Sequence, residues 1–305
     1  KRMENFLTIK EAVNKYIEGC DSKVSSSPQK LFIKAVFAGM MIAMGAAASS
    51  VASHAISNVG VSRLAAALVF PVGLMMVILL GAELFTGDCL MIMATASEKH
   101  SPMQLLRTLL IVFAGNFVGA VLIAIAVAAS GQLDYSTGLL GAYTIKVALG
   151  KATISFSRAI VSGVLCNILV CSAVLMALCA KDIAGKLIAV FFTIMLFVVA
   201  GFEHCVANMY YIAAGMVAAV NPEYMEVAMH EYGYTAEQIS MLNLQNFLVG
   251  NLLPVTIGNI IGGMLFIGLP LLYLNREQKK ENYELKEKDN ERNFIFRRNI
   301  AGIGR

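Results

Sequence analysis

Long apolar runs alternate with short polar interruptions along the chain, and six runs are long enough to cross a bilayer, near residues 31–57, 63–97, 103–130, 157–180, 185–220 and 246–274. Stretches such as 187–201 and 252–274 are too continuous for core strands, which predicts an all-α membrane domain. The second and fifth runs are interrupted. Residues 64–80 end in GAELFTGD (81–88), residues 187–200 end in GFEHCVAN (201–208), and an apolar segment resumes after each. A broken helix at membrane depth is tolerated only where the freed backbone is buried in protein or lines a cavity. Before the first run, Phe6, Leu7, Ile9, Val13 and Ile17 alternate with Lys and Glu. That pattern predicts an amphipathic helix lying on the lipid surface, ended by SSSP (25–28).

Composition removes the two-domain expectation that 305 residues alone would raise: 58% of residues are hydrophobic and 14% charged. Mean hydropathy is +0.70. The net charge of +4 gathers at the two ends and gives no reason to expect nucleic acid as a partner. Residues 1–34 carry seven Lys/Arg against four acids and no apolar core, so no cleavable leader is expected there. The six cysteines form no Cys-x-x-Cys or Cys/His cluster, and Cys89, Cys166, Cys171, Cys179 and Cys205 lie in or beside apolar segments. They read as small buried hydrophobes, and no metal or cofactor is expected.

Basic residues set the orientation. Lys99, Arg107, Lys181 and Lys186 lie on two short connections, nine Lys/Arg with six acids follow Leu274, and the 221–245 connection holds Glu223, Glu226, Glu231 and Glu237 with no Lys or Arg. Both termini are therefore expected in the cytoplasm and the acidic connection outside, with Lys146 and Lys151 the exception on the outer side. The chain divides into an amphipathic helix and linker (1–30), a transmembrane domain (31–275) and a charged tail (276–305) facing anionic lipid headgroups.

The two halves resemble each other. KAVFAGMM (34–41) matches RAIVSGVL (158–165), Gly81-x-Glu83 matches Gly201-x-Glu203, and Gly115–Asn116 is paired with Gly250–Asn251. A three-plus-three duplication puts the second copy in the membrane upside down, the inverted repeat of channels and transporters whose permeation path lies where paired helix breaks meet.

An ionisable group near the bilayer centre costs about 2.5–3.5 kcal/mol on insertion scales and so normally faces protein or a water path. Glu83, Glu203 and His204 stand at such depth. The two glutamates read as clamps that accept hydrogen bonds from freed N–H groups or Asn side chains. His204, with Asn208 four residues on, reads as a group that donates a hydrogen bond or a proton to an anion. In the other break, Leu84 and Phe85 supply a dry constriction, Thr86 a hydroxyl and Gly87 backbone freedom.

Taken together, ELFTGD (83–88), KATISFSRAIVSGVLCNILVC (151–171) and GFEHCVANMY (201–210) resemble the signature regions of the formate/nitrite transporter family, over roughly residues 5–275. The resemblance implies an aquaporin-like fold with inverted repeats and a homopentamer with one pore per subunit. It also implies small monovalent anions of weak acids as permeants: formate, nitrite and hydrosulfide, with Gly87–Asp88 and Cys205 leaning toward hydrosulfide/formate-type members. By the same resemblance His204 is the central pore histidine and Thr86 the loop threonine. Leu84 and Phe85 form the cytoplasmic constriction, and Leu74 and Phe197 the outer one. Lys151 is the vestibule lysine, Asn167 a pore-side asparagine, and Glu203 and Asn208 flank the histidine.

Rival functions fit less well. A channel for neutral solutes such as glycerol would be supported by paired Asn-Pro-Ala boxes, whereas Asn221–Pro222 is followed by Glu223. An intramembrane hydrolase needs a nucleophile paired with a base; the nearest stretch, Ser162–Gly163, fits the repeat as a packing glycine instead. A purely structural protein has no reason to break two helices around ionisable groups. Whether an anion crosses as the neutral acid or as a compensated ion stays open at this level.

Overall fold

The first two helices begin where the sequence provides a cap. The structure is a computed structural model that describes residues 6–275, so the predicted charged tail lies outside the described residues. Helix α1 (Ile9–Ser25) opens on a capping box between Thr8 and Glu11. Helix α2 (Pro28–Ser53) opens on Ser27, whose hydroxyl accepts from the Lys30 N–H, with Pro28 in the first turn where a missing N–H costs nothing. The second span descends through α3 (Val59–Val69) and α4 (Pro71–Leu79), breaks, and resumes as α5 (Phe85–Asp88), a tight helical turn at Cys89–Met91, and α6 (Ile92–Ala96). Helix α7 (Pro102–Ala129) completes the first half.

The second half repeats the plan with α8 (Leu139–Ala152), α9 (Phe156–Cys179), α10 (Ile183–Ala200), a break, and α11 (Cys205–Ala218). Two shorter helices, α12 (Pro222–Tyr232) and α13 (Ala236–Ser240), fill the acidic connection. The last span joins α14 (Leu253–Ile261) and α15 (Leu269–Asn275) to two π-helical stretches, Asn246–Leu252 and Gly262–Gly268. Pro254 and Pro270 follow those stretches closely, and a missing N–H in mid-helix favours such wide turns. Six helical segments are long and apolar enough to cross a bilayer, at the six places the hydrophobic pattern marks, and no strand longer than an isolated bridge occurs among the described residues. The chain is an all-α, multi-pass membrane protein.

The duplication is visible in the packing and corrects one sequence pairing. Helix α2 lies against α7, and α9 against α14. A Cβ on Gly119 would strike the Val36 carbonyl, and a Cβ on Gly262 the Val164 carbonyl; those on Gly39 and Gly163 would strike the backbone of the opposite helix in the same way. The third-span counterparts are thus GNFVG (115–119) and GNIIG (258–262), rather than Gly115–Asn116 and Gly250–Asn251. A Gly-Asn dipeptide recurs by chance, and the close helix crossing selects the copy that carries both glycines.

The repeat also extends further than the spans. The 131–156 connection contains α8, which stands to α9 as α1 stands to α2 and buries Leu140, Ile145 and Leu149 against the bundle. The apolar face of α1 (Val13, Tyr16, Ile17, Cys20) is likewise covered by protein rather than laid on lipid. The Tyr16 hydroxyl donates to the Gly87 carbonyl at 3.0 Å, fixing α1 over the first break.

Because the α2–α7 crossing has no room for a side chain at Gly119, Gly119→Val forces the helices apart. Overpacking of this kind costs about 1–3 kcal/mol. The melting temperature of the detergent-solubilised protein is expected to fall for Gly119→Val and to hold for Gly150→Ala, where a Cβ meets nothing within 4 Å. Equal melting temperatures would contradict the close crossing.

Candidate functional site

The two helix breaks are built alike. Gly81 (φ 65°) and Gly201 (φ 75°) turn the chain through the left-handed region that side chains disfavour. Two residues later come Glu83 and Glu203, and then Leu84 (φ −115°) and His204 (φ −112°), extended residues at the N-termini of α5 and α11. Extended backbone and the first turn of a helix leave donors and acceptors unpaired, and lipid cannot satisfy them.

One asparagine serves each break. Asn116 Oδ1 accepts from the Phe85 N–H (2.9 Å), and its amide donates to the carbonyls of Ala35 (2.8 Å) and Glu83 (3.0 Å). Asn259 Oδ1 accepts from the Cys205 N–H (2.9 Å), and its amide donates to the carbonyls of Gly163 (2.8 Å) and Glu203 (3.0 Å). A third asparagine, Asn167, links the breaks by donating to the carbonyls of Thr86 (3.1 Å) and Asn259 (2.6 Å).

The breaks meet at His204, whose Nε2 lies 2.9 Å from Thr86 Oγ1. The Ala207 N–H donates to Nδ1 at 3.1 Å, so Nδ1 is the acceptor that caps α11 and the neutral ring carries its hydrogen on Nε2. Around this contact lies a chamber of about 10 Å³ walled by Ile42, Phe70, Leu74, Leu84, Phe197 and His204. That is room for about one water-sized species.

Larger cavities open on either side. The one on the α8 side, about 260 Å³, is lined by Ser49, Ser53, Arg63, Lys151, Glu203, Asn208 and Tyr211 among others, and it reaches His204 and Phe197. The one on the α1 side, about 330 Å³, is lined by Lys23, Glu83, Asp88 and Lys186 and reaches Leu74 and Leu84.

Each cavity holds a lysine–glutamate pair at the break. Lys151 Nζ lies 3.0 and 3.2 Å from the Glu203 oxygens, and the Asn208 amide donates to Glu203 Oε2 (2.6 Å) and Asn251 Oδ1 (2.8 Å). Lys23 Nζ lies 2.6 Å from Glu83 Oε2 and also bonds Asp88 Oδ1. Burial acts to lower the Lys23 ammonium, but the charges of Asp88 and Glu83 outweigh it and hold the lysine charged, well above its ordinary range.

His204, Thr86, Leu84, Leu74, Phe197, Lys151, Glu203 and Asn208 are therefore brought together, while other sequence expectations land elsewhere. The Phe85 ring packs edge-on against Phe113 (5.0 Å between centroids) and lines none of the cavities described, because its N–H is tied to Asn116 on α7 and turns the residue that way. Asn167 is fully buried behind the Thr86 loop as a backbone clamp. Leu74 borders the α1-side cavity as well as the chamber, and the α8-side wall is made by Phe197 with Phe70 edge-on at 5.6 Å. The Glu83 carboxylate bonds lysine rather than freed backbone, that task falling to Asn116. Gly87 lies in the first turn of α5, where its carbonyl receives Tyr16. Ser162 accepts from the Glu203 N–H at 3.0 Å, which makes it part of the break.

Sequence reading missed Asn116 and Asn259 as clamps, Lys23, Asp88, Phe70 and Arg63. The repeated GNxxG would have exposed the asparagines. Asp88 stands five residues after Glu83 as Asn208 stands five after Glu203. No local pattern marks Lys23, whose partners are long-range.

Comparison with known proteins gives one consistent result. The family described as "Formate/nitrite transporter" matches residues 10–273. The "Formate channel FocA" of Haemophilus influenzae is 35% identical over 258 residues, covering 83% of this chain and 89% of the relative. That of Escherichia coli K12 is 34% identical over 251 residues, covering 81% and 87%. A solved structure described as a "Pentameric formate channel with formate bound" superposes with a TM-score of 0.74 at 34% identity, covering 81% of this chain and 98% of that one.

Replacing Asn259 with Leu strips the Cys205 N–H and two carbonyls of their partner. Each unpaired buried group costs about 1–3 kcal/mol. Asn259→Leu is thus expected to lower the melting temperature and the yield of folded protein markedly, and Asn116→Leu to do the same. A wild-type melting curve for either variant would contradict the clamp assignment.

Proposed function

Because the chain belongs to the formate/nitrite transporter family, we propose that it carries small monovalent anions of weak acids across the cell membrane, formate foremost, with nitrite and hydrosulfide in the same class. The observation that carries this reading is the His204–Thr86 contact at a one-molecule neck between two cavities that each hold a lysine–glutamate pair.

The geometry supports a simple sequence of events. Lys151, backed by Arg63, raises the anion concentration in the α8-side cavity, and Lys23 and Lys186 do so on the α1 side. The N-terminus of α11, capped by His204, borders the neck and favours negative charge there. Leu74, Leu84, Phe70 and Phe197 then exclude water, so a bare ion would lose its hydration at a cost of many kcal/mol.

His204 offers no compensating positive charge without giving up the bond that caps α11, since its Nδ1 already accepts from Ala207. The permeant therefore crosses as the neutral acid, hydrogen-bonded by His204 Nε2–H and by the Thr86 hydroxyl. Nothing in this path requires a chemical step on the permeant beyond proton exchange, so we assign transport and no enzymatic activity.

We extend the assignment to the assembly. Residues 31–275 form the channel domain, 1–30 the amphipathic helix and linker, and 276–305 the charged tail, with both termini cytoplasmic. The exposed apolar faces, including Leu110, Leu122, Phe192 and Leu196, contact lipid and neighbouring subunits of a homopentamer. The 34% identity to a pentameric relative supports five copies, each with its own path.

In proteoliposomes, His204→Phe is expected to fold with a lowered melting temperature, since Phe cannot accept the Ala207 N–H that caps α11, and to reduce formate flux severalfold by removing the donor at the neck. Wild-type formate flux in a folded His204→Phe protein would remove His204 from the mechanism.

A further inference from the structure

The two halves hold the same ion pair in different charge states. On the α8 side, Lys151 faces Glu203, and the position five residues on is Asn208, an amide, so one ammonium meets one carboxylate. On the α1 side, Lys23 faces Glu83, and the position five residues on is Asp88, which bonds the same ammonium. Two carboxylates share one close cation. Asp88 is only 1% exposed, and its Oδ2 has no hydrogen-bond partner among the described residues although Asp88 lines the cavity.

The other groups facing the pair do not settle its charge. Lys34 on α2 reaches Glu83 Oε1 at 3.8 Å, but its side chain is 47% exposed and its charge is screened. On α1, Tyr16 is committed to the Gly87 carbonyl, the Cys20 thiol to the Tyr16 carbonyl, and Lys15 is exposed at the cavity wall. On α9 the Cys171 thiol donates to the Thr86 carbonyl, and on α10 Lys186 lines the same cavity.

A buried surplus carboxylate is costly, and binding a proton removes the surplus. We propose that Glu83 and Asp88 bind one proton between them, taken from solution in the α1-side cavity, and that this proton-loaded pair admits anions to the neck. The inference rests on the anion-transport reading above. With the proton bound, Asp88 Oδ2 becomes a hydroxyl or accepts one from Glu83, and the cluster is neutral with Lys23. With the proton released to solution, the Lys23–Glu83–Asp88 cluster carries a net negative charge beside Leu84, which opposes the attraction of Lys15 and Lys186 in the same cavity and weakens the approach of a monovalent anion to His204.

Asp88→Asn tests this directly, because it recreates the Lys–Glu–Asn arrangement that the α8 side already shows to be foldable. The readout is exchange of isotopically labelled formate at equal pH on both sides of full-length proteoliposomes, from about pH 5 to about pH 8. Falling formic acid concentration affects both proteins alike, so the informative quantity is the ratio of variant to wild-type exchange. The ratio is expected near unity at the acidic end and severalfold higher at the alkaline end. Glu83→Gln, which leaves Asp88 alone with Lys23, is expected to give the same rise and serves if Asp88→Asn fails to fold. Asp88→Glu keeps the pair and is expected to give a flat ratio. A flat ratio for both amide variants would overturn the proton site while leaving anion transport in place. Absence of formate exchange by the wild-type protein would overturn both.

Discussion

Backbone that leaves a helix inside a membrane must find hydrogen-bond partners in the protein, and the architecture of this chain follows from that requirement. Two chain segments leave helical geometry at Gly81 and Gly201, and each is received by a single asparagine with one acceptor and two donated bonds. The asparagines sit on α7 and α14, which must therefore approach α2 and α9 closely, and glycines at the crossings allow it. Remove the breaks and the glycines have no purpose. Remove the glycines and the asparagines cannot reach. The contact between His204 and Thr86 is where the two satisfied breaks face each other.

Charge is arranged around the same feature. A lysine from a short helix, α1 or α8, reaches the glutamate of each break, so both helices contribute a charged group to a cavity wall. Pairing lowers the cost of burying the glutamate, and the lysine remains at the cavity wall where an anion arrives. Between the two pairs the neck is walled by apolar side chains and His204, whose Nε2 faces the Thr86 hydroxyl. Such a site suits a small species able to shed its charge with its water.

Much of this was legible in the sequence because membrane burial writes strong signals. Apolar runs located all six spans, and a Glu or His inside such a run has few harmless explanations, so GAELFTGD and GFEHCVAN stood out as breaks. What stayed hidden depended on tertiary distance. The 139–152 segment is apolar but short and carries two lysines, so it read as a connection although α8 is a buried element of the repeat. Phe85 read as a constriction because it follows Leu84, yet its N–H is held by Asn116 and its ring packs on Phe113. The Asn167 role came from resemblance, and its hydrogen bonds point to the Thr86 loop. Lys23 lies sixty residues from Glu83, and no periodicity connects them.

The central claim is that the neck between the two cavities passes a small weak acid and not a neutral solute. Stopped-flow light scattering on proteoliposomes, with formate or glycerol as the osmotic challenge, measures that most directly. The account predicts formate entry well above that of protein-free vesicles and glycerol entry equal to theirs. Fast glycerol entry with formate excluded would contradict it.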